Sequence, residues 1–263
     1  MAVLRLALLS DVHGNRIALE AVLADITARG GADAYWVVGD IPAIGYDPVG
    51  VIERLVALPD ARFVRGNTDR YTVTGELPRG APSLDDIRDD PQRLRELVLI
   101  AESSGWTRGA VTLGGWFDWL AGLPAEQRWM LPDGTRLLAV HAAPGRNDGP
   151  GVHPELSDDE LRALLGGGEA DLVIVGHTHR PLDRVAGGVR VVNLGSLSNP
   201  PRGEDPRASY VLLVADKAGY RVEHRRVDYD RRAVIREVQR VRHPAAGYLI
   251  GLLAETGTRG DGR

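Results

Sequence analysis

The chain has 263 residues and no cysteine, with a formal net charge of −4, 43% hydrophobic residues and 26% charged residues. This composition is ordinary for a globular protein, excludes disulfides and thiolate metal sites, and, without a basic excess, disfavours nucleic acid as a partner. No apolar run reaches the roughly 18–20 residues of a membrane helix and no signal peptide is visible, so we expect a cytoplasmic protein without membrane contact.

The first third of the chain alternates strand-like and helix-like segments, which predicts parallel βαβ units. Asn15 suits the N-cap of the first helix, and Gly30 and Gly31 suit its end. Pro48 suits the first turn of the second helix. The predicted strands are residues 3–9, 35–38 and 62–65, and the predicted helices are residues 17–26 and 48–56.

Residues 71–127 have a different texture, and we interpret them as a helical insertion after the third strand. Helical segments are predicted at residues 94–100 and 116–120. The large aromatic side chains of the insertion are expected to pack in the core rather than to bind substrate. These side chains are Trp106, Trp116, Phe117 and Trp119.

The second half resumes with short strands in a mostly antiparallel pattern, including a hairpin closed by Pro-Asp-Gly. Ser157 opens a short helix as a capping box, and residues 231–263 read as a C-terminal helical segment and tail. The predicted strands are residues 128–131, 137–140, 172–175, 182–185, 189–193, 210–214 and 220–227. We therefore predict one α/β domain over residues 1–263, a four-layer α-β-β-α sandwich of two mixed sheets flanked by helices.

Side chains that bind metals follow five of the predicted strands. His177 and His179 come after an apolar strand and Gly176, and their spacing in an extended segment would point both imidazoles to one side. Each motif alone is compatible with a turn residue or a helix cap. The carboxyl ends of strands form sites in α/β sheets, so we expect the five ends to converge. The side chains at the other four ends are Asp11 and His13, Asp40, Asn67, and His141.

In order, the motifs are Asp11-x-His13, Gly39-Asp40, Gly66-Asn67-x-Asp69, His141 and Gly176-His177-x-His179. This pattern resembles the calcineurin-like metallophosphoesterase superfamily. The segments 10–15, 45–48 and 192–196 are similar to its small bacterial and archaeal phosphodiesterase branch. The protein Ser/Thr phosphatase branch carries Asp and Arg just after the Gly-Asp pair, where this chain has Ala43 and Ile44.

The resemblance implies two divalent metal ions and a bridging hydroxide that hydrolyse a phosphodiester or phosphoanhydride bond in a small-molecule phosphate ester or nucleotide. Asp40 would bridge the ions, and the implied catalytic residues are Asp40, Asn67, His141 and Asn15. Nitrogen and oxygen ligands suit manganese first, with iron, zinc or nickel as alternatives. One ion would be held by Asp11, His13, Asp40 and His179, and the other by Asp40, Asn67, His141 and His177.

Several other residues have expected roles that are more local. Asp69 should brace its turn through hydrogen bonds rather than bind metal. His153 is compatible with either the pocket or the surface, while His224 and His243 should be structural or solvated. Two basic candidates for phosphate contact are Arg70 and Arg146.

The chain departs from many relatives at Thr68, where they carry a histidine thought to protonate the leaving oxygen. A threonine hydroxyl cannot act as a general acid near neutral pH. Two other hypotheses stay open: a nuclease, which the acidic balance disfavours, and a non-catalytic scaffold, which the complete ligand set disfavours. A homo-oligomer is compatible with the sequence.

Overall fold

A computed structural model describes residues 3–166 and 169–255. Its strands are β1 (Leu4–Leu9), β2 (Ala34–Val38), β3 (Ala61–Val64), β4 (Glu126–Met130), β5 (Arg136–Val140), β6 (Leu172–Val175), β7 (Leu182–Ala186), β8 (Val189–Asn193), β9 (Ala208–Asp216) and β10 (Gly219–Val227). Its helices are α1 (Arg16–Ala28), α2 (Pro48–Val56), α3 (Asn67–Thr74), α4 (Leu84–Asp89), α5 (Arg93–Leu113), α6 (Phe117–Ala121), α7 (Asp158–Leu165), α8 (Arg231–Arg240) and α9 (Ala246–Glu255).

The first sheet has the strand order β10-β9-β1-β2-β3. The neighbours β1, β2 and β3 are parallel, as the βαβ pattern predicted, and α1 and α2 are the crossovers. Asn15 caps α1 by accepting a hydrogen bond from the Ala18 amide, and Asp47 caps α2 directly before Pro48. The last two strands return to this sheet, where β9 pairs antiparallel with β1. The two sheets therefore do not correspond to the two halves of the chain, because the first sheet contains strands from both halves.

The second sheet has the order β4-β5-β6-β8-β7. The second half of the chain was expected to be mostly antiparallel. This expectation was wrong for the centre of the second sheet, where β5, β6 and β8 pair in parallel. The helix α7 lies between β5 and β6 in the chain and supplies the crossover that a parallel pair needs. The two predicted hairpins, β4–β5 and β7–β8, are present at its edges.

The four layers follow from the alternation of side chains between the two faces of each strand. Leu6 and Leu8 of β1 face the second sheet and share a buried cluster with Ile174, whereas Ala7 and Leu9 face α1 and α2. On the far side of the second sheet, α7 packs on β5 and β6 in a separate cluster. The predicted sandwich of two mixed sheets flanked by helices is confirmed.

The segment between β3 and β4 contains the helices α3 to α6. Trp116, Phe117 and Trp119 pack against the cluster that lies over the first sheet, and Trp106 contacts the ring of His243. The aromatic side chains of this segment therefore pack, as expected.

At the C-terminal end, α8 and α9 pack on each other and on Tyr46 through Val234, Val238 and Leu249. Helices α8 and α9 occupy residues 231–240 and 246–255 of the predicted C-terminal segment, and the predicted tail lies outside the described residues. Among the helices of the described ranges, none combines the length and apolarity that crossing a bilayer requires.

Candidate metal centre

The five predicted strand ends meet along one edge of the two sheets. Asp11 and His13 follow β1, Asp40 follows β2, and Asn67 is the first residue of α3, just after β3. The second sheet contributes His141 directly after β5, and His177 and His179 after β6. The site therefore lies between the sheets, and each sheet supplies part of it.

Most of these residues have a strained backbone. Seven non-glycine residues in the described ranges have positive φ, and five of them are predicted ligands. Non-glycine residues rarely adopt this region, and it is found repeatedly at functional sites. The geometric reason given for His177 and His179 was wrong, because their φ values of +68° and +60° are not those of an extended segment. Both rings nevertheless reach the place where the seven predicted ligands come together, which we call the metal-ligand cluster. The other three predicted ligands with positive φ are Asp11, His13 and Asp40.

Glycine next to the ligands allows their close approach. A Cβ atom on Gly66 would lie 2.1 Å from Oδ1 of Asp40, and one on Gly176 would lie 1.9 Å from Oγ of Ser10. Both distances are far below van der Waals contact. Any larger residue at either position would therefore displace a carboxylate of the site or its neighbour.

The first group of donors consists of Asp11, His13 and His179. The Nε2 atoms of the two histidines are 3.2 Å apart, and Nε2 of His179 is 3.1 Å from Oδ1 of Asp11. Oδ2 of Asp11 is engaged by the Ser10 hydroxyl at 2.6 Å and the His177 amide at 3.1 Å. Buried Oδ1 has no hydrogen-bond partner among the described residues.

The second group consists of Asn67, His141 and His177, beside Asp40. Oδ1 of Asn67 is 3.0 Å from Nε2 of His141 and 2.8 Å from Nδ1 of His177. Asp40 contacts both groups, because its Oδ1 is 3.3 Å from Nε2 of His141 and its Oδ2 is 3.8 Å from Nε2 of His13. Asp40 is therefore located where a shared ligand would be needed.

Backbone carbonyls fix the tautomers of the first two rings. Nδ1 of His13 donates to the carbonyl of Ala43 and Nδ1 of His179 donates to the carbonyl of Asn199, each at 2.5 Å. A neutral imidazole has one N–H, so each Nε2 presents a lone pair. Two lone pairs that face each other at 3.2 Å cannot hydrogen-bond. They can share a cation.

The other two rings are held in the same way. Nδ1 of His141 donates to the carbonyl of Val38 at 2.7 Å, and Nε2 of His177 donates to the carbonyl of Gly149 at 2.8 Å. In the neutral form of each ring, the second nitrogen presents a lone pair to the cluster. Such N–H···O=C contacts behind a ligand are typical of metal-bound histidine. The nitrogen and oxygen donors present fit divalent transition metals.

The buried carboxylates of the cluster depend on neighbouring positive charge. Burial would raise the pKa of Asp40, but the neighbouring His141 and His13 hold it well below its usual range. Burial likewise opposes ionisation of Asp11, yet His179 lowers its pKa. Two ionised carboxylates therefore lie in a buried place, which is costly unless cations compensate them.

Asp69 braces the ends of two strands, as predicted. Its Oδ2 accepts from the amide of Gly66 at 2.7 Å and of Asp40 at 3.0 Å, and its Oδ1 accepts from the amide of Ile41 at 2.9 Å. All of its described contacts go to backbone. The carboxylate thus holds the turns that carry Asp40 and Asn67.

Sequence reasoning missed two braces in the turn after β8. Nδ2 of Asn193 lies 2.9 Å from the carbonyl of Gly176 and 2.8 Å from Oγ1 of Thr178, which holds the His-x-His turn. The Ser196 hydroxyl donates to the carbonyl of Asp11 and accepts from the Asn199 amide. In the sequence, only the resemblance points to segment 192–196. No charge or metal-ligand pattern indicated its bracing role.

A further missed residue is Asp148, in the loop after β5. Arg70 and Tyr71 of α3 bind its Oδ2 at 3.0 Å and 2.6 Å. The next residue, Gly149, accepts from Nε2 of His177. Arg70, a candidate for phosphate contact, is therefore engaged in anchoring this loop.

The remaining candidates lie outside the cluster. Arg146 is exposed and lines a different cavity, beside Asp148. His153 contacts Glu155 at the surface, and Nε2 of His224 lies 2.8 Å from the carbonyl of Asn193. His243 is buried against Trp106, and burial lowers its pKa to about 4.

A cavity of about 340 Å³ opens over the cluster and is lined by His13, Asp40, Asn67 and both residues of the His-x-His pair, among others. Thr68 also lines it; its amide donates to Oδ1 of Asp40, and its hydroxyl has no hydrogen-bond partner among the described residues. Asn15 lies behind His13, where its Nδ2 donates to Oγ of Ser198 at 3.2 Å.

Residues 4–218 match the family model of the calcineurin-like phosphoesterase superfamily domain. The chain belongs to this superfamily. The matched range includes all seven predicted ligands and ends before α8 and α9. The resemblance inferred from the motifs is confirmed.

Two relatives of this phosphoesterase extend the match to most of the chain. An uncharacterized protein of Methanocaldococcus jannaschii is 27% identical in an alignment of 253 positions that covers 91% of this chain and 93% of that protein. The crystal structure of a metallophosphoesterase from Sphaerobacter thermophilus has a TM-score of 0.72 at 25% identity and covers 96% of this chain and 99% of its own.

A third likeness concerns the fold. A hypothetical protein from Pyrococcus horikoshii OT3 has a TM-score of 0.76 at 20% identity, with 97% of this chain and 99% of that chain covered. The family and the Asp and His groups that could hold a metal together make this phosphoesterase a metal-dependent hydrolase of phosphate esters.

Proposed function

We propose that this phosphoesterase hydrolyses a phosphodiester or phosphoanhydride bond of a small molecule at a centre of two divalent ions. The observation that supports this proposal is that two groups of inward-facing donor atoms meet at the two oxygens of Asp40. The ligands would be Asp11, His13, Asp40 and His179 for one ion and Asp40, Asn67, His141 and His177 for the other.

Two divalent ions held in this way would act as Lewis acids toward the phosphate oxygens and would supply a water-derived nucleophile at neutral pH. The side chains of this chain do the holding and orienting. Asn67 offers a neutral oxygen, so it adds a donor without cancelling the positive charge that an anionic phosphate needs. Asn15 caps α1 just after His13 and thereby fixes the turn that carries this ligand. Manganese is the first choice for this donor set.

The cavity supports a small substrate with few negative charges. Its volume of about 340 Å³ is near the lower end of the roughly 300–1,000 Å³ of small-molecule sites. Its lining includes the uncharged side chains of Ile44 and Thr68 and a single arginine, Arg202. A diester phosphate carries one negative charge and needs less compensation there than a dianionic monoester.

Hydrolysis of bis-p-nitrophenyl phosphate and p-nitrophenyl phosphate by protein loaded with Mn²⁺ tests the proposal, with metal content measured in parallel. We expect about two ions per chain, a preference for the diester, and loss of activity on chelation. Active protein that contains no transition metal would contradict the metal-dependent reading as a whole.

Asp40→Asn should weaken binding of both ions, because one carboxylate faces both groups. The matched control is Asp183→Asn, since Asp183 pairs with Arg190 on the surface of the second sheet. One ion retained at full affinity in Asp40→Asn would refute the bridging role while leaving a mononuclear enzyme possible.

A further inference from the structure

The cavity over the metal-ligand cluster has a second, apolar side. Besides the histidines, Asp40 and the polar residues Asn199 and Arg202, the lining contains five apolar or aromatic side chains: Ile44, Pro200, Pro201, Tyr248 and Leu252. We call these five residues the apolar wall. A phosphate bound at the cluster would therefore have its substituent next to hydrophobic side chains.

The helix α9 supplies the outer part of this wall. Tyr248 and Leu252 are four residues apart, so they lie on the same face of the helix. Leu249, on a neighbouring face, is buried against Tyr46 and Val234 and fixes the helix to the protein. The family model ends at residue 218, so the helix belongs to a segment beyond the matched domain.

Tyr248 is the residue of the apolar wall whose side chain is best placed to contact a ligand. It is 49% exposed, although it lies beside a buried cluster. Within residues 3–166 and 169–255, no residue hydrogen-bonds to its hydroxyl or stacks on its ring. An aromatic ring with a free face at the rim of a polar site is the usual platform for a planar group.

We propose that the apolar wall binds a nucleobase, so that the substrate is a nucleoside phosphate whose base stacks on Tyr248 while its phosphate lies at the metal-ligand cluster. This inference rests on the proposed function, because it needs a phosphate at the cluster. It adds Tyr248 as a residue that determines specificity.

The rigidity of the wall favours a planar ring over a flexible chain. Proline has no free side-chain rotation and tyrosine has only two side-chain torsions, so Pro200, Pro201 and Tyr248 lose little entropy when they contact a rigid ligand. The cavity volume of about 340 Å³ has room for a mononucleotide-sized group.

Calorimetric titration of the Mn²⁺-loaded protein with four phosphates tests this assignment. These are adenosine 5′-monophosphate, ribose 5-phosphate, octyl phosphate and inorganic phosphate. We expect the adenosine compound to bind about tenfold tighter than ribose 5-phosphate, and Tyr248→Ala to remove most of that difference. Tyr248→Phe should keep it, because the ring rather than the hydroxyl provides the stacking.

A matched control is Leu113→Ala, which removes a 92% exposed apolar side chain from the end of α5 and should change no affinity. Equal binding of the adenosine compound and ribose 5-phosphate would overturn the inference. So would octyl phosphate that binds as tightly as the adenosine compound and weakens equally in Tyr248→Ala. If none of the four phosphates binds but bis-p-nitrophenyl phosphate is still hydrolysed, only this inference fails; if the diester is not hydrolysed either, the proposed function fails as well.

Discussion

Asp148 acts on the metal centre only through its neighbours. Arg70 and Tyr71 hold its carboxylate, and the following residue, Gly149, accepts from His177. We expect Asp148→Ala to release this carbonyl and to lower metal affinity about 10–100-fold, the usual cost of losing a contact behind a ligand. Metal titration by calorimetry measures the effect.

The control for this change is Asp148→Asn, which keeps an oxygen for the Tyr71 hydroxyl and should lose less. A purely structural role would lower stability without changing the affinity for metal. Unchanged affinity in a folded Asp148→Ala protein would therefore exclude the positioning role.

Thr68 has consequences for the leaving group. Its hydroxyl lines the cavity but cannot protonate a departing oxygen near neutral pH. We expect the rate to depend steeply on the pKa of the leaving group, with aryl esters fast and alkyl esters slow. Thr68→His should flatten that dependence, by up to ~10²–10⁴-fold for alkyl leaving groups.

A series of aryl and alkyl methylphosphonates or diesters provides the measurement, and Thr68→Val separates loss of the hydroxyl from gain of an imidazole. Equal rates across the series in the natural protein, with chemistry rate-limiting, would show that another acid operates. His153 lies at the surface against Glu155 and is therefore a poor candidate for that role.

At this scale the residues that come together could be predicted, but the orientation of their side chains could not. Aspartate and histidine at strand ends form a recognisable pattern, and all seven residues come together. The groups that fix the rings are the carbonyls of Val38, Ala43, Gly149 and Asn199, and every residue type has a carbonyl. A sequence pattern cannot distinguish them.

At the scale of elements, the turn after β2 depends on Gly39. Its φ is +82°, and a Cβ atom would lie 2.5 Å from Nδ1 of His141 and 2.7 Å from Gly66. We expect Gly39→Ala to cost more than the ~1 kcal/mol that strain at positive φ alone costs, and to weaken metal binding.

Gly134 is a matched control, because its φ is +89° and nothing lies within 4 Å of its Cβ position. Gly134→Ala should therefore show the conformational cost without the steric one. Urea unfolding of both variants compares them. Equal losses of unfolding free energy would mean that the turn relaxes around the added methyl group.

Helices with a clear apolar period and caps were predicted, and polar ones were not. The prediction of α1 and α2 was correct within a few residues. The polar sequence of α3, with three threonines, hid a helix that starts at Asn67. The prediction for α5 gave only residues 94–100 of a helix that continues to Leu113, because serine and glycine interrupt the pattern. Pairing of β9 with β1 depends on contacts between distant segments, which local patterns do not contain.

At the scale of the whole molecule, the proposed ions would connect the two sheets. Asp11, His13, Asp40 and Asn67 follow strands of the first sheet, and the three other histidines follow strands of the second. Ions bound only to the folded protein stabilise it, by about 2.7 kcal/mol at a free concentration one hundred times Kd. We expect chelation to lower the free energy of unfolding by a comparable amount.

This stabilisation should depend on pH. Burial opposes protonation of His141, but Asp40 raises its pKa to about 10 from 6.5. In metal-free protein this pair contributes its full stability below about pH 6.5 and loses it as pH rises toward 10. Metal must displace that proton, so metal affinity should increase with pH over the same window.

Urea unfolding at pH 6.5 and 8.5, with Mn²⁺ or with chelator, tests the sign. The difference in unfolding free energy between loaded and metal-free protein should be larger at the higher pH. His224→Gln, outside the cluster, should leave this difference unchanged. If the difference in unfolding free energy between loaded and metal-free protein does not change with pH, no proton is exchanged for the metal.

The carbonyls behind the four histidine rings also bear on how this site can be inherited. Because main-chain oxygens orient the rings, the residues that carry three of these carbonyls, Val38, Ala43 and Asn199, can change identity without losing the contact. Substitutions could thus replace the side chains around the histidines, while the backbone conformation keeps the rings in the same orientation. A lineage could retain the same chemistry long after most of its side chains had diverged.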